Sequence, residues 1–352
     1  MQEMTLNMGL WPQVLAAGLG LLVVLAAAGL PFLALRALTL GVRHESSRYA
    51  HLARQQLSLC RLLAWLCLLV CAGALIFPDI RGMLRGPEGI PLLAAAGGFA
   101  VGAICCTLTL SGWQGSTARR LMTWITGFCL LAGLLGGLCA LLKFFCPLEM
   151  RDTAAVVSAL VSGVPPETVF IPSIRARVLF VPYAALYSLA VLPVSAACLA
   201  SLWLVLRRKA DDFGRDYYIF ALRWCARAAF IGSFALLAGG VLLFLLRMTA
   251  LIHLPDASLE PLVANMRAVL GSAADLGFSM GGPGSTPFFG LVPVLAVQII
   301  LPDIAFLLVW MRIEKMDVPM RAKLSMLLGI LCVWLALCCS LILVLATRVP
   351  QL

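Results

Sequence analysis

Eight stretches of this chain are too apolar and too long to stay in water. They lie near residues 12–38, 58–78, 90–112, 121–145, 179–206, 226–248, 287–311 and 324–347. A helix needs about 20 apolar residues to cross a hydrocarbon core of about 30 Å. In lipid every backbone N–H and C=O must be satisfied within the chain, so such stretches fold as helices. The expected fold class is therefore all-α integral membrane, with about eight transmembrane helices. Charged residues make up 12% of the chain, half of the roughly 25% usual in soluble domains. Little sequence is left for a soluble domain. The first stretch is longer than a signal-peptide core and lacks a basic leader, so it reads as a retained span.

Charge sets the orientation. With eight spans the connecting segments alternate between two sides. One side holds Arg36, Arg43, Arg48, Arg54 and Arg61, then Arg119 and Arg120, then the group from Arg207 to Arg227, then Arg312, Lys315, Arg321 and Lys323. That is 17 of the 26 basic residues. The positive side of a membrane protein is the cytoplasmic one, which puts both termini on the non-cytoplasmic side. The net charge of +10 thus belongs with anionic lipid and topology. Nucleic acid is not an expected partner.

The chain reads as a duplication. Tyr49 and Arg54 precede the second span, and Tyr218 and Arg223 precede the sixth, each shifted by 169 residues. Phe32-Leu33-Ala34-Leu35-Arg36 matches Trp203-Leu204-Val205-Leu206-Arg207 at a similar shift. Four helices per repeat keep both halves in the same orientation, which makes the repeats parallel. The expected organisation is a first four-helix membrane bundle over 1–150, an outer loop over 151–178, and a second bundle over 179–352. The second bundle carries a long outer loop at 249–286. In that loop Ser258 to Gly271 reads as a helix with one apolar face. The glycines that follow have no Lys-Ser or Lys-Thr, so they are not a phosphate loop.

Cysteine is frequent, at 13 residues. Most lie inside spans, and only Cys146 is expected at the outer surface. No disulfide framework or C-x-x-C motif is present, so the cysteines read as small apolar packing residues. Histidine is scarce: His44 and His51 fall in the expected first cytoplasmic loop and His253 in the long outer loop. None is placed at membrane depth, so no haem held between histidines is expected, and no metal site.

The seventh span is the richest in chemistry. Asp303 is a carboxylate within an apolar run, where a charge is unfavourable by roughly 2.5–3.5 kcal/mol. Pro302 has no N–H, so the Gln298 carbonyl loses its helical partner. Gln298, Pro302 and Asp303 thus place an amide, a free carbonyl and a carboxyl together. Two roles fit: a proton, cation or polar-ligand site, or a structural Asp bonded to a neighbouring helix. In the fifth span Tyr183 and Tyr187 share a face and suit either quinone binding or the aromatic belt. Thr107, Thr109 and Ser111 suit interhelical bonding. Gly98/Gly102 and Gly133/Gly137 have the spacing of close helix approach.

The long loop after the sixth span and the segment Tyr49-Ala50-His51-Leu52-Ala53-Arg54 make the chain resemble subunit I of bd-type quinol oxidases. Its paired four-helix layout is also similar to NrfD-type quinone-linked membrane subunits. The first resemblance implies an outside N-terminus, two four-helix bundles and a quinol-binding loop between helices six and seven. The histidine haem ligands of that family have no counterpart here in the first or fifth span, and its ninth helix and intramembrane glutamates are missing. The resemblance therefore implies a haem-free relative. The expected function is a haem-free membrane subunit of a quinone-linked respiratory or electron-transfer complex, in the inner membrane if the source is bacterial. Its partners would be lipid and redox subunits. It would bind quinone or move protons through Gln298, Asp303 and Tyr187, with no catalytic residue of its own. A small-solute or ion transporter and a non-catalytic scaffold are the alternatives.

Overall fold

A computed structural model of the protein describes residues 2–74, 89–112, 116–140, 148–150, 170–172, 174–207, 214–252 and 319–346, with Ile304. Seven helices lie among them. They are α1 (Gln2–Arg43), α2 (Ser47–Ala74), α3 (Gly89–Ser111), α4 (Ser116–Ala140), α5 (Ile174–Arg207), α6 (Gly214–Ile252) and α7 (Pro319–Ala346). Two short strands, β1 (Leu148–Met150) and β2 (Phe170–Pro172), pair antiparallel, with Leu148 opposite Pro172. β1 falls at the end of the expected first bundle and β2 within the outer loop expected over 151–178. The seventh expected span, apart from Ile304, and residues 253–286 of the long loop lie outside the described residues. Residues 249–252, expected in that loop, are instead the last turn of α6.

Among the described residues, four helices are long and apolar enough to cross a membrane: Pro12–Arg43, Ser47–Gly73, Gly89–Ser111 and Thr117–Cys139. Ser188–Leu204 in α5 and Met326–Cys339 in α7 are shorter apolar stretches. Leu93, Val101, Ile104 and Leu108 on α3, with Leu121, Trp124 and Phe128 on α4, are exposed. So large an apolar face is a liability in water and is at home in lipid. The protein is a helical membrane protein.

The first connection differs from its expected form. Residues 39–57 are not a loop. α1 runs to Arg43, and α2 begins at Ser47. Only His44, Glu45 and Ser46 join them, as a tight helical hairpin. Glu45 takes φ 47°, a left-handed conformation. The Ser46 N–H donates to the Gly41 carbonyl at 3.1 Å. This is the six-to-one bond that closes a helix when the residue after its cap turns left-handed. Such a position favours Gly, but here a glutamate fills it. Gly41 lets the hairpin close, since a Cβ there would come within 3.2 Å of the Tyr49 Cβ.

α1 is the axle of the fold. It packs against α2, α4, α5 and α7. Leu22, Leu25, Ala26, Ala27, Ala28, Leu30, Ala34 and Ala37 are all buried. Small residues allow this, because lipid supplies no hydrophobic force between helices and close backbone approach must supply van der Waals contact. A Cβ on Gly29 would lie 2.6 Å from the Leu192 carbonyl oxygen of α5. On its other side α1 accepts α7, whose Trp334 indole N–H donates to the Leu15 carbonyl at 3.1 Å. Between α3 and α4, Gly98 meets the backbone of Gly133, and a Cβ on Gly136 would come within 2.9 Å of the Ala95 backbone. The seam thus uses Gly133 and Gly136, while Gly137 has 4.0 Å of clearance.

Pro31, inside α1, explains one cysteine. Proline lacks the N–H that would bond the carbonyl four residues earlier, which is that of Ala27. The Cys60 thiol on α2 donates to the Ala27 oxygen at 3.5 Å. The Cys106 thiol of α3 likewise donates to the Leu57 oxygen at 3.2 Å, and the Cys338 thiol of α7 to the Val14 oxygen at 3.8 Å. These thiols are buried packing residues that also bridge helices. The hydroxyls of α3 do not. Thr107 donates to Ala103, Thr109 to Cys105 and Ser111 to Leu108, all carbonyls of their own helix. The short side chains find the nearest carbonyl one turn back, so the expected interhelical bonds are absent at these three residues.

Candidate functional site

A cluster of polar side chains lies where the N-terminal parts of α2 and α6 meet, at the end of the bundle that carries Arg43, Arg48 and Arg54. His51 and Gln55 are four apart on α2 and therefore share a face. The Gln55 amide nitrogen sits 3.1 Å from His51 Nε2. Tyr217, in the first turn of α6 and 2% exposed, donates its hydroxyl to the Gln55 amide oxygen at 3.0 Å. Both ends of the Gln55 amide are thus engaged. Its N–H can donate to His51 Nε2 only if that nitrogen is unprotonated. The neutral ring with its proton on Nδ1 fits this contact.

Rings wall the group. His51 lies edge-on to Tyr217 with centroids 4.9 Å apart, and Tyr217 lies edge-on to Tyr218 at 5.6 Å. Tyr49 packs edge-on against Phe220 at 5.0 Å, and His44 stacks on Tyr49 at 6.1 Å. His44 stands on the hairpin turn and His51 within α2, so the two do not share one helix face. Gln56, the next residue on α2, is 2% exposed. Neither its oxygen nor its nitrogen has a hydrogen-bond partner among the described residues. The arrangement offers an imidazole, two amides and a phenol in a largely buried setting. Its chemistry is hydrogen bonding and proton relay.

Gln298, Pro302 and Asp303 lie outside the described residues. Tyr187 falls on α5, and its side chain is also outside them. Gln55, Gln56 and Tyr217 were not singled out. A signal for the first two existed: Gln55-Gln56 is the one adjacent glutamine pair in the chain, and it opens an apolar run. Tyr217 was passed over in favour of its neighbour Tyr218.

The chain is similar in fold to a chain in the structure of bd oxidase from Geobacillus thermodenitrificans, with a TM-score of 0.62 and 14% identity. The likeness covers 96% of this chain and 87% of that one. No family description and no curated relative matches the sequence. The residues present do not fit a haem held by histidines of the first and fifth helices. α1 and α5 contain no histidine, and their described interior positions carry residues such as Ala26, Ala34, Val191 and Ala197.

Proposed function

We propose that the chain is a haem-free membrane subunit of a quinone-linked respiratory complex, built as two parallel four-helix repeats. The observation that carries this reading is the fold likeness to a bd oxidase chain over 96% of the sequence. The repeat is supported by helix order: α1 pairs with α2 as α5 pairs with α6, and α1 packs on α5. It is supported again at the polar cluster, where each half reaches into the other. Tyr49 packs on Phe220 and His51 on Tyr217. In this reading eight helices span the inner membrane, the basic end faces the cytoplasm and both termini lie outside. The protein meets lipid and docks redox subunits. Asp303, with Gln298, Pro302 and Tyr187, handles quinone or protons.

The deciding experiment is purification of the full chain from its native membrane in mild detergent, with mass spectrometry of what accompanies it. Iron–sulfur or multihaem partners, and no Soret band from the chain itself, are expected. Recovery of the chain alone, or with solute-uptake proteins, overturns the reading. In the recovered complex, Asp303→Asn should keep abundance and lower quinol-linked activity at least tenfold. Reporters fused near Asp211 and after Leu352 should report cytoplasm and outside, respectively.

A further inference from the structure

Gln56 follows Gln55 on α2 and is rotated from it by about 100°, so it takes no part in the Gln55–Tyr217 pair. A primary amide brings two N–H donors and an oxygen with two lone pairs. None of these is met among the described residues, although the side chain is 2% exposed. Burying such a group dry is unfavourable, and an amide has no proton to gain or lose as relief. Its surroundings do not help. The Cys225 thiol of α6 lies close enough to take a weak bond from the amide N–H, but the contact falls short of full hydrogen-bonding geometry and leaves the amide oxygen unmet. Gln55 and Tyr217 are already engaged with each other.

What completes Gln56 must both donate and accept. An uncharged group suffices, since the amide itself carries no charge. It must also be small, because Gln56 is itself enclosed, at 2% exposure. Water meets all three conditions, and buried waters typically bind about three otherwise unsatisfied polar groups. We infer that Gln56 anchors a site for internal water between α2 and α6, with Cys225 as its neighbour on α6. The site extends the hydrogen-bonded chain of His51, Gln55 and Tyr217 deeper along the seam. This inference is independent of the respiratory reading, since it rests on one amide and its neighbours.

Two measurements on the full chain in lipid nanodiscs test it. A cryo-EM map that resolves ordered water should show density within hydrogen-bonding distance of both Gln56 Oε1 and Nε2. Density large enough for a ring or acyl chain, a protein group closing on the amide, or no density at all overturns the site. Thermal unfolding of Gln56→Leu gives the second answer. A water-satisfied amide predicts a Tm lowered by roughly 2–6 °C. A dry, unsatisfied amide predicts an unchanged or higher Tm, because leucine removes the unmet polar group, and that result also overturns the site. If the variant does not fold, the map of the unmodified chain still decides.

Discussion

Where α1 crosses α5, the contact surface is alanine, glycine, valine and leucine. Gly29 sits against the Leu192 carbonyl and the Ala196 methyl, with Val191, Val194 and Ala197 buried nearby. Where α2 meets α6 at the basic end, the contact is a phenol, two amides and an imidazole. The first seam is held by shape. Its strength lies in many weak contacts that vanish together if the backbones move apart. The second is held by a few directional bonds, each specifying one partner. A dry seam therefore tolerates no added volume, and a polar one tolerates no deleted atom.

The largest expected effect is on the dry seam. Gly29→Leu adds a side chain where a Cβ alone would lie 2.6 Å from Leu192 O and 2.9 Å from the Ala196 Cβ. No rotamer avoids backbone, so the variant should give no monodisperse peak in fluorescence-detected gel filtration. A normal peak would mean that α1 and α5 do not cross as closely as described. Tyr217→Phe breaks the polar seam instead. It removes one hydroxyl, leaves the Gln55 oxygen without its donor, and should destabilise by about 1–3 kcal/mol. The protein should still fold, with its melting temperature lowered by several degrees. A melting temperature equal to that of the unmodified protein would mean the bond adds nothing.

Cys60→Ala probes the one polar link described between α1 and α2. It leaves the Ala27 carbonyl, already stripped of its helical partner by Pro31, without the thiol. A weak S–H donor is lost, so about 0.5–1 kcal/mol is expected. Cys60→Ser, with a stronger donor, should restore stability, and serine behaving like alanine would remove the thiol bond from the account. Gly137→Ala should be the smallest effect, within about 0.5 kcal/mol, since its Cβ finds 4.0 Å of clearance. Gly133→Ala, which meets the α3 backbone at 3.1 Å, is the matched variant that should lower stability.

Much of the dry architecture was legible in the residues. Apolar length located the described helices, and glycine spacing located the α3–α4 seam, though Gly136 rather than Gly137 makes the close approach to Ala95. The short turn at Glu45 was not legible. A polar stretch between two apolar runs looks like a loop, and nothing in Arg43 to Arg54 forbids helix. Charged residues at a helix end are as compatible with a helix standing above the bilayer as with a coil. The polar cluster was half legible. Tyr49, His51 and Tyr218 stood out as aromatic and titratable, but amides carry no charge and leave no trace in a topology argument. Only the packing of α2 on α6 brings Gln55 to Tyr217, across 162 positions of sequence.

The hairpin at His44 to Ser46 bears on how the chain is made. Three residues leave no slack, so α1 and α2 can enter the bilayer only as a pair, sharing one insertion event. α1 also leaves the ribosome before every helix that covers it. Its neighbours α4, α5 and α7 follow by roughly 75, 130 and 275 residues, or seconds to tens of seconds at usual synthesis rates. During that interval its alanine face, later the most enclosed surface of the protein, is solvated by acyl chains alone. Each docking step must expel those lipids. The order of synthesis and the order of enclosure therefore run in opposite directions, and the helix born first is the last to be sealed.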